Sequence, residues 1–362
     1  MFSVMKKVLF ILPSLRGGGA ERVMVTLLKY LDRNKFDLHL ALISKEGPYL
    51  AEVPDDVPVY DLKAKRVRYA FIPMLKLIRQ LKPDIVFSTL GHLNLALIML
   101  KILMPSHTRL IVREANTVSE IVKLSSKPWL WKFLYKTLYK RADLIVCQSD
   151  YMKQDLIENF KVPEQKAIRI YNPVDVDTIR KKANLGENPF LHSPTSPNIV
   201  AIGRLVYQKG FDRLLQAMPQ LLKEKPNAKL WILGEGPLEE ELKEQCIRLG
   251  IVEKVEFVGF QKNPYVWLKH ADLFVLSSYY EGLPNVLLEA IACECPVVAI
   301  DHPGGTREIM EALGLLDKLE YAELTMSSHL FRPLNEECLK QLKQLFGLKR
   351  IVGEYESYIL NL

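Results

Sequence analysis

The strongest constraint on this 362-residue chain is an alternation of short apolar runs with longer stretches of helical spacing. Residues 8–12, 38–43, 85–87, 110–112 and 144–147 are apolar runs, mostly aliphatic and interrupted only by His39. After a break come 168–171, 199–202, 230–233, 255–258, 273–276 and 297–300. Such runs suit parallel strands covered on both faces, because a strand with one wet face alternates polar and apolar residues. Residues 21–31, 72–81, 127–141, 211–224 and 238–249 carry helical patterns between them. A βαβα pattern repeated twice predicts an α/β protein of two doubly wound domains. In such sheets ligands bind beyond the carboxyl ends of the strands, so two domains facing across a cleft would hold a site there.

Asn172-Pro173, Asn188-Pro189, Ser193-Pro194 and Ser196-Pro197 cluster around Gly186, which is the punctuation of a linker over 173–197. The first domain is then expected over 1–172 and the second over 198–345.

Charge divides along the same line. Residues 1–150 hold 24 Lys and Arg against 13 Asp and Glu, whereas the remainder is slightly acidic. A basic front half points to an anionic partner, either a phosphate-bearing substrate or an anionic membrane surface. No nucleic-acid recognition motif accompanies it, so nucleic acid is not expected. The five cysteines form no C-x-x-C pair and have no His at ligand spacing, as suits buried thiols in a reducing compartment. The apolar stretch after Lys6-Lys7 is too short for a signal peptide, and the longest apolar run, 93–104, is broken by Lys101. A cytoplasmic chain follows, peripheral on the inner face of the plasma membrane if it meets lipid at all.

The segment Glu281-Gly282-Leu283-Pro284-Asn285-Val286-Leu287-Leu288-Glu289 reads as a loop turning into a helix. Pro284 suits the first turn, and the helix start offers N–H groups and a positive dipole end to a phosphate, with two carboxylates near for sugar hydroxyls. Gly203-Arg204-Leu205-Val206-Tyr207-Gln208-Lys209-Gly210 follows a strand run and precedes a helix, so its two cations could clamp a diphosphate. Gly17-Gly18-Gly19-Ala20-Glu21-Arg22 opens the first helix; it is neither G-x-G-x-x-G nor a P-loop. It reads as a phosphate- or substrate-facing loop, with Glu21 equally suited to the helix dipole. Gly234-Glu235-Gly236-Pro237, His92, Arg113-Glu114-Ala115-Asn116 and Pro303-Gly304-Gly305 also follow strand runs. Residues 127–141 interleave aromatics with cations, which suits either a helix on a bilayer surface or a core helix with a solvated basic face. No metal site and no amino-acid nucleophile is suggested by spacing.

Taken together, Glu281-x7-Glu289, Gly203-Arg204 with Lys209-Gly210, and Gly17-Gly18-Gly19-Ala20-Glu21-Arg22 resemble the retaining glycosyltransferases of family 4, over residues 7 to about 310. Asn172-Pro173-Val174-Asp175 and Gly234-Glu235-Gly236-Pro237 support the resemblance. It implies the GT-B architecture of two Rossmann-like domains and transfer from a nucleotide-diphosphate sugar, with a UDP-linked hexose or N-acetylhexosamine favoured. No cofactor or metal is implied beyond this donor, and the acceptor is a glycan or lipid-linked glycan. It assigns Arg204 and Lys209 to the diphosphate, Glu281 to the donor sugar and Glu289 to the ribose. Gly234, Gly282, Leu283, Asn285 and Val286 would complete the donor pocket. His92 would face the donor sugar, and Gly17, Gly18, Gly19 and Arg113 would line the phosphate or acceptor side. After Glu308 the chain departs from the family pattern, and 346–362 would be the helix returning to the first domain. A non-catalytic nucleotide-sugar-binding protein and an epimerase of the same fold remain open alternatives.

Overall fold

The computed structural model describes residues 5–191, 196–321, 324–325 and 328–362. It divides into two compact units, Met1–Pro173 with Lys349–Leu362, and Val174–Leu348. The first is built on β1 (Lys6–Leu12), β2 (Phe36–Leu42), β3 (Val59–Asp61), β4 (Ile85–Thr89), β5 (Arg109–Arg113), β6 (Leu144–Cys147) and β7 (Ala167–Arg169). These form one parallel sheet in the order β3-β2-β1-β4-β5-β6-β7. The second is built on β8 (Asn198–Ile202), β9 (Lys229–Leu233), β10 (Val255–Gly259), β11 (Leu273–Leu276), β12 (Val297–Ile300) and β13 (Leu319–Glu320), parallel in the order β10-β9-β8-β11-β12-β13. The register explains the unbroken apolar runs: Val8 lies between Leu38 and Ile85, and Ile199 between Leu230 and Leu273. Both faces of these central strands are buried, as parallel sheets require.

Three expectations are revised and two strands are added. The run 168–171, counted with the second set, begins within β7, the last strand of the first sheet, where Ala167 pairs with Ile145 and Ile168 with Val146. β3 and β13 carry no apolar run long enough to betray them: β3 is a three-residue, half-exposed edge and β13 only two residues. The supposed linker contains a helix, Val176–Ala183, begun by the Asp175 carboxylate accepting from Thr178 N at 3.0 Å. Arg180 Nε of that helix donates to Ala292 O at 3.0 Å, so this part of 173–197 belongs to the second unit's fold. Ser193-Pro194 lies outside the described residues. Finally, Pro284 precedes the helix Asn285–Ala292 as its N-cap instead of entering the first turn.

The chain's end also takes shape. Lys318 is buried just before β13, its ammonium donating to Leu330 O and Arg332 O at 3.0 and 3.1 Å. The last helix, Leu348–Leu360, buries Ile351, Tyr355 and Ile359, and the Tyr355 ring lies 5.9 Å from that of Phe87 on β4. Lys6 Nζ donates to its carbonyls at Ile359 and Leu360, and Glu356 accepts from Asp32 N at 3.0 Å and Lys35 Nζ at 2.6 Å. The apolar run 93–104 forms the helix Gly91–Leu100, buried almost all round within the first unit, which explains its even hydrophobicity. Among the described residues no helix is long and apolar enough to cross a membrane.

Beneath the start of that helix lies a buried polar network. Asn94 Nδ2 donates to Arg113 O at 2.9 Å and to Glu114 Oε1 at 3.0 Å, and Tyr139 OH donates to the same carboxyl oxygen. Ser88 Oγ donates to Asn94 Oδ1 at 2.7 Å. Burial pushes the Glu114 carboxyl from an ordinary 4.5 up to about 8, because no cation compensates its desolvation fully.

The network makes two predictions. Between pH 4.5 and 8 the folded chain keeps a proton on Glu114 that the unfolded chain releases, so stability falls as pH rises through that window. The slope approaches about 1.4 kcal/mol per pH unit for this one group. Glu114→Gln keeps the accepting oxygen and removes the titration. Thermal melts of the variant should depend less on pH from 5 to 8 (roughly, by linkage) than those of the wild type; parallel slopes would refute the assignment. Ile359→Ala should cost about 2–5 kcal/mol in a urea titration, since Ile359 is fully buried; a change within error would mean that the last helix adds little to its unit.

Candidate functional site

In each sheet the strand order reverses once, between β1 and β4 in the first and between β8 and β11 in the second. Such switch points open a crevice outside the carboxyl ends of the strands. The loops leaving β8 and β11 carry Lys209 and Glu281; the triple glycine runs from the loop after β1 into the helix Gly19–Tyr30, and His92 lies in the first turn of the helix Gly91–Leu100 after β4.

In the second unit the centre is Glu281. Its side chain is only 7% exposed and lies 2.6 Å from Lys209 Nζ, itself 20% exposed. Ser278 Oγ donates to Oε1 at 2.7 Å, and Gln208 Nε2 donates to Oε2 at 3.1 Å. Gln208 Nε2 also reaches Tyr280 O at 3.1 Å, while Tyr279 N donates to Gln208 O at 2.8 Å. The two loops are thus laced together at backbone and side-chain level. Arg213, from the helix Phe211–Glu224, donates to the carbonyls of Ser277 and Ser278, and its guanidinium lies 4.4 Å from the Tyr279 ring centre. Gln208, Ser278 and Arg213 were not singled out in the sequence. Ser-Ser after a strand run and a Gln beside the Lys are too common to stand out alone.

Close backbone approach explains two of the glycines. Gly304 sits at φ 137°, and a Cβ there would overlap the Glu281 carbonyl. Glu281 N donates to Pro303 O at 3.1 Å and Gly305 N to Gly282 O at 2.7 Å, so the 303–305 turn clasps the 281–282 backbone. Gly234, at φ 139°, would overlap Gly203 O in the same way. It brings the loop after β9 against the Arg204 loop, where Leu205 N donates to Glu235 O at 3.0 Å. Arg204 itself is exposed and makes no ion pair among the described residues, while the Lys209 stem lies against Gly203. Gly282 and Leu283 are buried, and Asn285 and Val286 begin the helix Asn285–Ala292. Glu289 stands on that helix, half-buried, with Tyr265 OH donating to its Oε1 at 3.3 Å.

In the first unit, Gly18 caps the helix Gly19–Tyr30, and the Glu21 carboxylate folds back against Gly18 so closely that a Cβ would displace it. The protein's own carboxylate therefore meets the positive end of this helix. Tyr49 OH donates to Gly17 O at 3.2 Å. His92 is the second residue of the helix Gly91–Leu100 and is exposed, with neighbouring groups desolvating the ring enough to lower its pKa. Leu90, just before it, has φ 78°, a strained conformation for a branched residue. Two N–H groups, from Leu93 and Asn94, hold its carbonyl at 3.0 Å. A cavity of about 420 Å³ near His92 is lined by Arg16, Lys65, Arg66 and Arg68, with Glu46 paired to Arg16.

Arg113 requires a correction. It is fully buried, donating to Asn172 Oδ1 at 2.5 Å and to Thr89 Oγ1 at 3.3 Å. As the last residue of β5 it locks β4 and the 172 turn together, and no acceptor can touch it.

Two family models match along the chain. "Glycosyltransferase Family 4" covers residues 17–178 and "Glycosyl transferases group 1" covers 187–315. The chain is 34% identical over 330 residues to the N-acetylgalactosamine-N,N'-diacetylbacillosaminyl-diphospho-undecaprenol 4-alpha-N-acetylgalactosaminyltransferase of Campylobacter jejuni, covering 87% of each chain. A second enzyme of that organism, a GalNAc-alpha-(1->4)-GalNAc-alpha-(1->3)-diNAcBac-PP-undecaprenol alpha-1,4-N-acetyl-D-galactosaminyltransferase, is 27% identical and covers 98% of each. Anabaena HepE, solved with UDP-glucose, superposes with a TM-score of 0.81 at 18% identity, over 99% of this chain and all of its own, and so shares the GT-B fold. Two family models meeting across these units, and a relative alike over most of its own length, place the chain in the group 1, family 4 glycosyltransferases.

Proposed function

We propose that the chain transfers an N-acetylhexosamine or hexose from a UDP-linked donor to a hydroxyl of a lipid-linked glycan, with retention of configuration and without a metal. The observation that carries this reading is the Glu281 centre, where a buried carboxylate, an ammonium, an amide and a hydroxyl converge at the switch point of the second sheet. The Campylobacter relatives, both N-acetylgalactosaminyltransferases with undecaprenol-linked substrates in their names, supply the sugar and acceptor class.

The roles follow from charge. The helix Asn285–Ala292 has no acid in its first turn, so its positive end complements a diphosphate. Arg204 adds a planar fork, and Lys209 has N–H groups beyond the one directed at Glu281. As the bond from sugar C1 to the diphosphate oxygen breaks, its electron pair leaves with the phosphate, and these groups stabilise that charge. The acceptor oxygen joins C1 on the same face, and its proton passes to the departing phosphate. Glu281 orients sugar hydroxyls while Lys209, Gln208 and Ser278 keep it in place. Glu289 accepts from the ribose hydroxyls. His92 is assigned to the donor sugar, and Gly17, Gly18 and Gly19 let an acceptor approach the backbone of the first unit. The basic cavity of Arg16, Lys65, Arg66 and Arg68 suits the phosphates of a lipid-linked acceptor.

Arg204→Ala should lower turnover by roughly 10²–10³ with an unchanged melting temperature, because the side chain is exposed. Release of UDP from UDP-N-acetylhexosamines and UDP-hexoses, with undecaprenyl-diphosphate glycans as acceptors, measures it. Wild-type turnover in this variant would remove the clamp. Lys209→Ala should lose turnover and stability together, since it strands the Glu281 carboxylate at a cost of about 3–5 kcal/mol. Glu289→Ala should weaken UDP binding about tenfold or more in titration calorimetry; an unchanged titration would reject its ribose role.

A further inference from the structure

The helix Pro128–Leu138 and the turn Tyr139–Arg141 that extends it take no part in the site described above. Their inward side is ordinary core. Tyr135 and Tyr139 are buried, and Trp131, Leu134 and Leu138 pack against the first unit's apolar cluster. The outward side is not ordinary. Trp129 is 72% exposed and Phe133 59% exposed. Lys132, Lys136 and Lys140 are exposed as well. At 3.6 residues per turn, these five positions fall within a stripe about 100° wide. Aromatic and ammonium groups therefore share one face.

The charge of this face has one sign. From residue 121 to 142 the sequence contains six Lys and Arg and no Asp or Glu. Among the described residues Lys127, Lys132, Lys136, Lys140 and Arg141 have no carboxylate partner; Lys123 alone of the six pairs, with Glu120. Next to the stripe the short helix Val118–Lys123 and its end leave Ile121 and Leu124 exposed. At the other end Lys101 Nζ donates to Arg141 O, and the adjacent Ile102 is 83% exposed. A solvated basic helix has no physical reason to hold a Trp and a Phe in water. A protein partner would be expected to meet such lysines with carboxylates, and a second copy of the chain presents lysine to lysine. A bilayer with anionic headgroups satisfies both halves at once: rings settle at headgroup depth while lysine stems snorkel outward to phosphates.

We propose that this face is a docking surface for an anionic phospholipid bilayer, Trp129 and Phe133 entering the interface and Lys132, Lys136 and Lys140 contacting lipid phosphates. This is independent of the donor chemistry proposed above, and its test involves no turnover.

The test is flotation of the full chain with vesicles of phosphatidylcholine alone and with equimolar phosphatidylcholine and phosphatidylglycerol. The wild type should float with the anionic vesicles and be released by salt. Lys132→Gln, Lys136→Gln and Lys140→Gln should each weaken binding about fivefold and together roughly a hundredfold. Trp129→Ser with Phe133→Ser should lose about tenfold or more and abolish any blue shift of tryptophan emission on vesicle addition. All these side chains are exposed, so the melts should overlay that of the wild type. Equal flotation with neutral vesicles, no flotation with either, or binding that survives both variant sets would overturn the proposal. So would a dimer in light scattering that Trp129→Ser with Phe133→Ser turns into monomer, which would assign the face to a second copy.

Discussion

The ion pair of Glu281 with Lys209 ties together the loops that leave β8 and β11 in the second unit. A carboxylate at 7% exposure is costly unless its oxygens are satisfied, and three donors from two loops do so. The consequence reaches past the pair. Lys209 can meet Glu281 only if the β8 loop turns at the right residue, and Gln208 beside it fastens the opposing backbone at Tyr279 and Tyr280. Arg213 then grips the Ser277 and Ser278 carbonyls from the helix that the same loop begins. Each contact restrains a loop that would otherwise have freedom, so the carboxylate and the ammonium are held by groups of the protein itself.

The two units use one topological device with different electrical fillings. Both place a strand, a glycine-bearing loop and a helix start at the reversal of a parallel sheet. In the first, Glu21 already meets the positive end of its helix. In the second, the helix from Asn285 has no first-turn acid, and the acid that precedes it is engaged by Lys209. An anionic leaving group is therefore better matched to the second unit, whereas a neutral hydroxyl can approach the first without competing with Glu21. This asymmetry supports, separately from any resemblance, the proposal that a diphosphate binds at Arg204 and Lys209.

The central strands and the loops beyond them were legible in the sequence because burial on both faces writes itself as unbroken aliphatic runs. Glycine, Pro and charge then mark where each run ends. What was not legible depends on long-range partners. Arg113 and Glu114 are neighbours that look like a polar loop, yet Thr89, Asn172, Asn94 and Tyr139 draw them into the core from four other segments. Residues 173–197 carry the composition of a linker, but Asp175 also caps a helix, and only the docking of Arg180 on Ala292 decides between the two. β13 is a strand solely because Ala299 and Ile300 are beside it. The Glu281 carboxylate was singled out in the sequence, while its two supporting polar neighbours were not, since Gln208 and Ser278 acquire meaning only when two loops meet.

The same reasoning explains why residues 127–141 admitted two descriptions. Helical spacing tells which residues share a face, but it does not tell which face meets the protein. This helix has rings on both sides, Trp131, Tyr135 and Tyr139 inward and Trp129 and Phe133 outward. Aromatics at alternate positions from 129 to 135, and again at 139, put rings on both sides of the helix, so spacing alone does not single out an inner face. The inner side packs on the core of the first unit. On the outer stripe Lys132, Lys136 and Lys140 stand beside Trp129 and Phe133, the combination on which the proposal of an anionic bilayer rests.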